Sequence, residues 1–393
     1  MIQVKRQPMC KKILSMPACA HLMMIILIGS ALVLPVPADE NETISCGMIL
    51  PLSGSLNLQG TELKQGIELA VREINQQGGI SGKNLSLITA DDQGNPENAL
   101  YLFREMTQKG IPVVIGSYST DLTLPLAEII SDDPSTVLIS PRANGQVLYG
   151  ISPAFFQMNA PVHYMGKFIA DWAIYTAERV AILYIDTEYG ESFRDSVSSG
   201  LAGSSVKISS SEPASEETDF QALSKNVLNG APDIIIVGIY GPMQTRLLEN
   251  LTQAGYRGQV VLTDTSLIPT LEHDYGDVLS KFSVCSISST ASTVPGNHTE
   301  RFTQAYEQIY GSDPRKGIAG YGYDSVYIIA DALRSQCYGN NISVIDILDG
   351  LKRTRYYGVT GPKVFDDSNV VHPALDRWVF RNGTFELMTT SYY

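Results

Sequence analysis

The chain has 393 residues and a formal charge of −13 at pH 7, with 44 % hydrophobic and 18 % charged residues. So acidic a surface argues against nucleic acid or anionic membrane as partners, and the otherwise ordinary composition is that of a globular protein rather than a disordered one. The length exceeds what one core usually serves, so two lobes are expected.

The first predicted element is a leader. Lys5, Arg6, Lys11 and Lys12 form a positive stretch with no acid before Asp39. An apolar run over 22–34 follows, and Val36-Pro37-Ala38 places small residues where a signal peptidase cuts. The run is roughly 13 residues, short of the ~20 that a stable membrane span needs. Residues 1–38 are therefore expected to be a signal peptide, and the mature chain to be exported and soluble. Losing the four cations takes the charge from −13 to −17. Cys10 and Cys19 would leave with the leader. Cys46, Cys285 and Cys337 then permit one bridge at most, and buried free thiols are the expectation. Asn41, Asn84, Asn250, Asn297, Asn341 and Asn382 stand in Asn-x-Ser/Thr sequons, acceptors for glycosylation outside the cell.

From residue 43 onward short apolar strands alternate with amphipathic helices. Residues 44–50 read as a strand. After a Pro-Leu-Ser-Gly turn, Leu63, Ile67, Ala70, Val71 and Ile74 recur at helical spacing until Gly78-Gly79 stops the helix. Leu85, Leu87 and Thr89 alternate as a second strand. Asn95-Pro96 caps the next helix, with Ala99, Leu100, Phe103 and Met106 inward. Strands at 113–115, 137–139, 180–185, 234–239 and 260–263 lack polar alternation, as parallel strands covered on both faces do. Helices fit at 121–131, 162–177, 190–201, 219–229 and 242–254. Beyond residue 290 helices follow one another at 297–310, 320–336 and near 343–352. Short strands end the chain, including 374–381, with Asn382-Gly383 as a hairpin turn. The pattern predicts doubly wound α/β sheets.

In open α/β sheets, ligands bind beyond the carboxyl ends of the strands. That rule nominates the turns at 52–60, 117–122 and 141–146 in the first half. In the second half it nominates 186–190, 240–244 and 264–267. Ser119 and Thr120 precede a helix whose unpaired N–H groups suit a carboxylate, although either is also an ordinary N-cap. Arg142 and Asn144 follow another strand, and Tyr189, Tyr240 and Asp264 come from the opposite half. Carboxylate binders facing an acid and aromatics suit a zwitterion. There is no nucleotide-phosphate loop, zinc helix motif or nucleophile elbow. His21, His163, His273, His298 and His372 are too scattered in sequence to suggest a metal site, so neither cofactor nor metal is expected. Asp91-Asp92-Gln93-Gly94-Asn95 lacks the distal Glu of a calcium loop and reads as a strand-end turn.

An ordered series of motifs spans nearly the whole mature chain: Pro51-Leu52-Ser53-Gly54, Gly78-Gly79-Ile80-Ser81-Gly82-Lys83, Asp91 to Glu97, Val114-Ile115-Gly116-Ser117, Ile139-Ser140-Pro141, Tyr189-Gly190 and Gly320-Tyr321-Gly322-Tyr323-Asp324. In this series the chain resembles the extracellular branched-chain amino-acid-binding proteins of ABC transporters. The resemblance implies a type I periplasmic binding-protein fold, with two doubly wound parallel-sheet lobes joined by three crossovers. These would fall near 159–161, 289–293 and 361–365. The first lobe would take 39–159 plus 293–361, and the second 160–292 plus 362–393. It further implies a carboxylate held at Thr120 and at Arg142, Ala143 and Asn144, an ammonium met by an acid at Asp264 beside Thr265, and Tyr189 and Tyr240 closing over the ligand. Gln59 stands where an aromatic is frequent, Arg142 where a small residue is, Asn144 where a Thr is common, and Asp264 where Glu is. The pocket is thus more polar than the family pattern, leaving a polar amino acid, an amide or a small or aromatic acid open as ligand. Permease subunits are the implied partners. A binding protein presenting ligand to a separate membrane receptor is the alternative. An enzyme, the rival from another class, lacks a paired nucleophile and base.

Overall fold

The computed structural model describes residues 43–132, 134–263, 266–267, 269–288, 297–314, 318–334, 342–372 and 375–391. The expected leader, Asp264 and Thr265, the crossover at 289–293, Cys337 and the sequons at Asn41 and Asn341 lie outside these residues.

The first lobe is built on strands β1 (Thr43–Leu50), β2 (Asn84–Asp91), β3 (Val113–Gly116), β4 (Val137–Ser140) and β5 (Phe155–Gln157), in the order β2-β1-β3-β4-β5. All its pairings are parallel. Helices α1 (Asn57–Gln76), α2 (Pro96–Gln108) and α3 (Thr120–Asp132) form the crossovers. Helix α1 ends at Gly78 and Gly79, whose φ of 93° and 73° suit glycine. Helix α2 starts as the sequence indicates, with the Asn95 side chain accepting from the Asn98 N–H at 2.9 Å. Ala99, Phe103 and Met106 are buried, and Leu100 is half-buried.

The chain then enters the second lobe through α4 (Val162–Thr176). There follow β6 (Arg179–Ile185), α5 (Glu188–Leu201), β7 (Lys207–Ala214), α6 (Phe220–Asn229), β8 (Ile234–Gly238), α7 (Pro242–Gln253), β9 (Gln259–Thr263), α8 (Pro269–Leu279) and β10 (Ser283–Ser288). Helices α9 (Asn297–Tyr310), α10 (Ala319–Arg334) and α11 (Val344–Arg353) come next, with α9 and α10 packed on α1 of the first lobe. A two-stranded ribbon, β11 (Tyr356–Gly358) and β12 (Gly361–Lys363), leads back. Strands β13 (Leu375–Arg381) and β14 (Thr384–Ser391) complete a seven-stranded sheet ordered β14-β13-β10-β9-β8-β6-β7. The hairpin between them turns on Asn382 and Gly383, with φ of 50° and 84°. In this sheet the β10–β13 and β13–β14 pairings are antiparallel and the others parallel.

Register positions the functional turns. Ile49 pairs with Gly116 and Ile115 with Ile139, so β1, β3 and β4 end together. In the second sheet Tyr184 pairs with Gly238 and Val237 with Leu262, so β6, β8 and β9 do the same. Cys46 and Cys285 are buried free thiols, and burial pushes each up to about 12.

Candidate functional site: a cleft between strand-end turns

Seven residues singled out in the sequence converge. Ser119, Thr120, Arg142, Ala143, Asn144, Tyr189 and Tyr240, joined by Tyr118, line one cavity of about 20 Å³. Its walls come from both sheets. A space of this size holds about one water.

The first-lobe wall is held by its own polar groups. Ser119 caps α3: its carbonyl accepts from the Thr123 N–H at 3.0 Å, and its Oγ from the Leu122 N–H at 3.4 Å. The ordinary capping reading of Ser119 therefore holds alongside any role in binding. Thr120 Oγ1 accepts from the Gly145 N–H at 2.9 Å, which leaves its hydroxyl proton to donate elsewhere. A Cβ on Gly145 would sit 2.5 Å from Thr120 Cγ2, so this approach requires glycine. Ser140 Oγ accepts from the Ala143 N–H, and Asn159 Nδ2 donates to the Arg142 carbonyl at 3.0 Å. The Asn144 carbonyl accepts from the Val162 N–H at 2.8 Å, tying the turn to the start of α4. The 91–95 turn is a brace: Asp91 accepts from the Leu52 and Ser53 N–H groups, and Asp92 from the Ser117 hydroxyl at 2.6 Å.

The second-lobe wall presents rings. Tyr189 sits in the first turn of α5, and Tyr240 follows β8; their centroids lie 5.8 Å apart. Gly190 allows α5 to start against β6, since a Cβ there would lie 1.7 Å from the Ile185 carbonyl oxygen. Gln244 Nε2 bonds the Ile239 carbonyl and Ser266 Oγ, joining the turns after β8 and β9. Burial, with Asp121 close by, pushes the Tyr240 phenol well above its usual range.

Gln59 is not among these lining residues. It is buried in α1, and its Oε1 has no hydrogen-bond partner among the described residues.

Sequence reasoning missed a charged layer behind the first-lobe wall. The Arg142 guanidinium lies 4.7 Å from the Tyr321 ring centroid, and Lys363 Nζ 5.6 Å from the same ring. Lys363 donates to the Thr360 carbonyl at 2.6 Å. Asp324 accepts from the Val359 and Thr360 N–H groups and the Thr360 hydroxyl. Burial pushes Lys363 down to about 8, opposed by Asp324, and raises Asp324 itself. Glu62 on α1 accepts from the Ile318 N–H at 2.9 Å; burial raises it to about 7 against that bond and the Arg142 charge. Tyr321 and Asp324 belong to the Gly-Tyr-Gly-Tyr-Asp motif, so the motif positions Arg142 and the ribbon leading back to the second lobe.

A larger groove, about 760 Å³, runs along α4 and α5 beside Gln146 and His163. Helix flanks make most of it, and the start of α3 and residues 142–144 are not among the residues that line it. Among the described residues no cluster of His, Cys, Asp or Glu has metal-site geometry.

Two lobes whose strand-end turns converge on one cleft agree with what the whole sequence matches. Residues 43–380 match the family of periplasmic binding proteins. The chain belongs to that family. Its curated relatives include Leu/Ile/Val-binding protein homolog 7 of Brucella melitensis, 26 % identical over 372 residues, covering 88 % of this chain and 90 % of the relative. Similar folds include the branched-chain amino acid transporter substrate-binding protein LivJ of Streptococcus pneumoniae in complex with isoleucine, with TM-score 0.78, 23 % identity and coverage of 90 % and 99 %. The leucine-binding protein LivK of Thermotoga maritima gives TM-score 0.80 and 17 % identity, covering 89 % and 99 %. A solute-binding protein of R. palustris in complex with benzoate gives TM-score 0.80 and 15 % identity, covering 89 % and 96 %. These family proteins are binders of solutes, and at such identities the structural likeness establishes the fold.

Proposed function

We propose that this chain is the exported solute-binding component of an ABC importer, which captures a small carboxylate-bearing solute, an amino acid or an organic acid, by closing its lobes. The observation that carries this reading is the convergence of an α3 N-terminus, the Thr120 hydroxyl and Arg142 on one cavity faced by Tyr189 and Tyr240. Helix N–H groups and the Thr120 hydroxyl replace the water lost by a buried carboxylate. Asp264, which follows β9 in the sequence, is assigned to the ammonium of an amino-acid ligand. The lobes part at 159–161, 289–293 and 361–365, and a solute contacting both walls favours the closed form. Names of similar proteins support both ligand classes, isoleucine in one and benzoate in another. Residues 1–38 serve as the export signal, and permease subunits receive the loaded protein.

A thermal-shift screen of the mature chain against amino acids, amides, aromatic acids and small aliphatic acids tests this. A ligand that binds the folded state raises its melting point by mass action. One clear stabiliser recovered unchanged is the expected result. No shift across the panel, or recovery of an altered molecule, contradicts the reading.

A further inference from the structure

Two histidines meet where the chain passes between the lobes. Residues 365–372 add to the edge of the first sheet before the chain reaches β13 of the second. There the Gln157 N–H donates to the Asn369 carbonyl at 2.9 Å, and the Val371 N–H to the Gln157 carbonyl at 3.2 Å. In this segment His372 Nε2 lies 2.8 Å from Asp366 Oδ2, to which the Tyr149 hydroxyl also donates at 3.3 Å. The other Asp366 oxygen accepts from the Ser368 and Val370 N–H groups at 2.8 and 3.0 Å. His163 and Tyr164, in the first turn of α4, complete the cluster. The Tyr164 ring centroid lies 4.2 Å from that of His163 and 5.3 Å from that of His372. Tyr149 stands edge-on to His163 at 6.3 Å.

The hydrogen bonds beside this cluster cross between the lobes. Gln146 Oε1 accepts from His163 Nδ1 at 2.8 Å, and the Gln146 N–H donates to Ser192 Oγ of α5 at 3.2 Å. One residue of a first-lobe turn thus clasps both α4 and α5. With Nδ1–H as the donor, Nε2 is the nitrogen of His163 that takes a second proton in acid. Burial raises Asp366, but the bonds from Val370, His372 and Ser368 outweigh it and hold the carboxyl below its usual range, so it stays an anion. Two protonated imidazoles beside one carboxylate leave a surplus positive charge. Burial keeps His163 below the usual imidazole range, and the charge of His372 adds to this. Lys167, one turn along α4, is paired with Asp171 at 2.7 Å. Glu188, Glu191 and Asp195 of α5 line the same groove as His163, but all three are exposed and screened by solvent.

We propose that His163 and His372 make lobe closure pH-sensitive: in mild acid both imidazoles become cationic, repel one another about the Tyr164 ring, and loosen the Gln146 clasp toward the open form. The inference rests on the binding-protein reading, under which opening in acid releases solute. The sign follows from the site of the proton. Opening returns His163 to water, so the open form binds the proton more tightly than the closed form. Closure is therefore fullest above the ordinary imidazole range near about pH 6.5 and weakens as pH falls through it.

The test uses the mature chain with no added solute, so its failure is distinct from a wrong ligand class. Small-angle X-ray scattering between about pH 7.5 and about pH 5.5 reports the open–closed balance, and imidazole NMR follows each histidine. Wild type is expected to expand as pH falls, its open-to-closed ratio rising about threefold to tenfold. Glu62 titrates in the same window, so the readout is the difference between wild type and variants. His163→Gln, which keeps a donor and takes no proton, is expected to lose about half of the expansion or more. In His372→Gln, His163 is expected to bind its proton about threefold more tightly, a change that a packing role alone would not produce. This second variant carries the test should His163→Gln fail to fold. Expansion that both variants retain in full overturns the proposal. So does a wild type that does not expand, and so does a His163 proton affinity unmoved in His372→Gln.

Discussion

The two walls of the cleft are built differently. The first-lobe wall is a set of polar groups satisfied within the lobe and its crossover, as in the Thr120–Gly145, Ala143–Ser140 and Arg142–Asn159 bonds. The second-lobe wall offers two tyrosine rings on turns that rely on tight backbone packing, at Gly190 above all. The first therefore acts as a preorganised receptor for charge, at low cost in reorganisation on binding. The second acts as a cover whose position depends on how α5 is seated. Damage to one should appear in affinity, and damage to the other in stability and closure.

The largest expected effect falls on the cover. Gly190→Ala forces a Cβ to 1.7 Å from a backbone oxygen, so α5 must shift. A loss of about 3 kcal/mol in a denaturant melt is expected, as for an overpacked site. A melt within about 0.5 kcal/mol of wild type would show that α5 has slack, and would blur the contrast between the walls. On the receptor side, Thr120→Ala should weaken the best stabiliser by about 1.5–3 kcal/mol in titration calorimetry, the range for a hydrogen bond to a charged group. The free protein should also lose about 1 kcal/mol, because the Gly145 N–H loses its acceptor. If stability falls and affinity does not, the roles of the walls are reversed.

The charged layer behind the receptor gives a pH signature. Glu62 is raised to about 7, so the folded state binds its proton more tightly than the unfolded chain does. Its contribution is thus fullest in acid and is lost as pH rises from roughly 4.5 to about 7. Glu62→Gln should remove about 2 kcal/mol of that pH dependence, seen as a gain in stability relative to wild type at pH 8 compared with pH 5. A constant difference between the two proteins across that range contradicts the assignment. The smallest effect is expected at the cover's polar edge. Tyr240→Phe removes a buried hydroxyl from a residue that lines the cavity and should cost about 1 kcal/mol of affinity, with the fold unchanged.

Sequence pattern revealed the lobes because parallel strands covered on both faces must be apolar throughout, as Ile234–Gly238 is. It did not reveal β7, whose Lys-Ile-Ser-Ser-Ser-Glu-Pro-Ala carries no apolar run because it lies at the edge of its sheet. Nor did it reveal β5, where three residues are too few to show a period. Most of the cleft was legible because strand-end turns are fixed by topology. Tyr118 was within reach, since it stands between Ser117 and Ser119 in a nominated turn. Glu62 and Lys363 were not. A charged residue on a helix or ribbon reads as solvated surface until a partner from a distant segment is seen beside it.

A crystal structure of the mature chain with its strongest stabiliser tests the central claim most directly. The account predicts ligand density between the α3 N-terminus and the Tyr189–Tyr240 pair, with a carboxylate against Thr120 and Arg142. Density in the groove beside His163 and Lys167, with the cleft between the two walls empty, would contradict it.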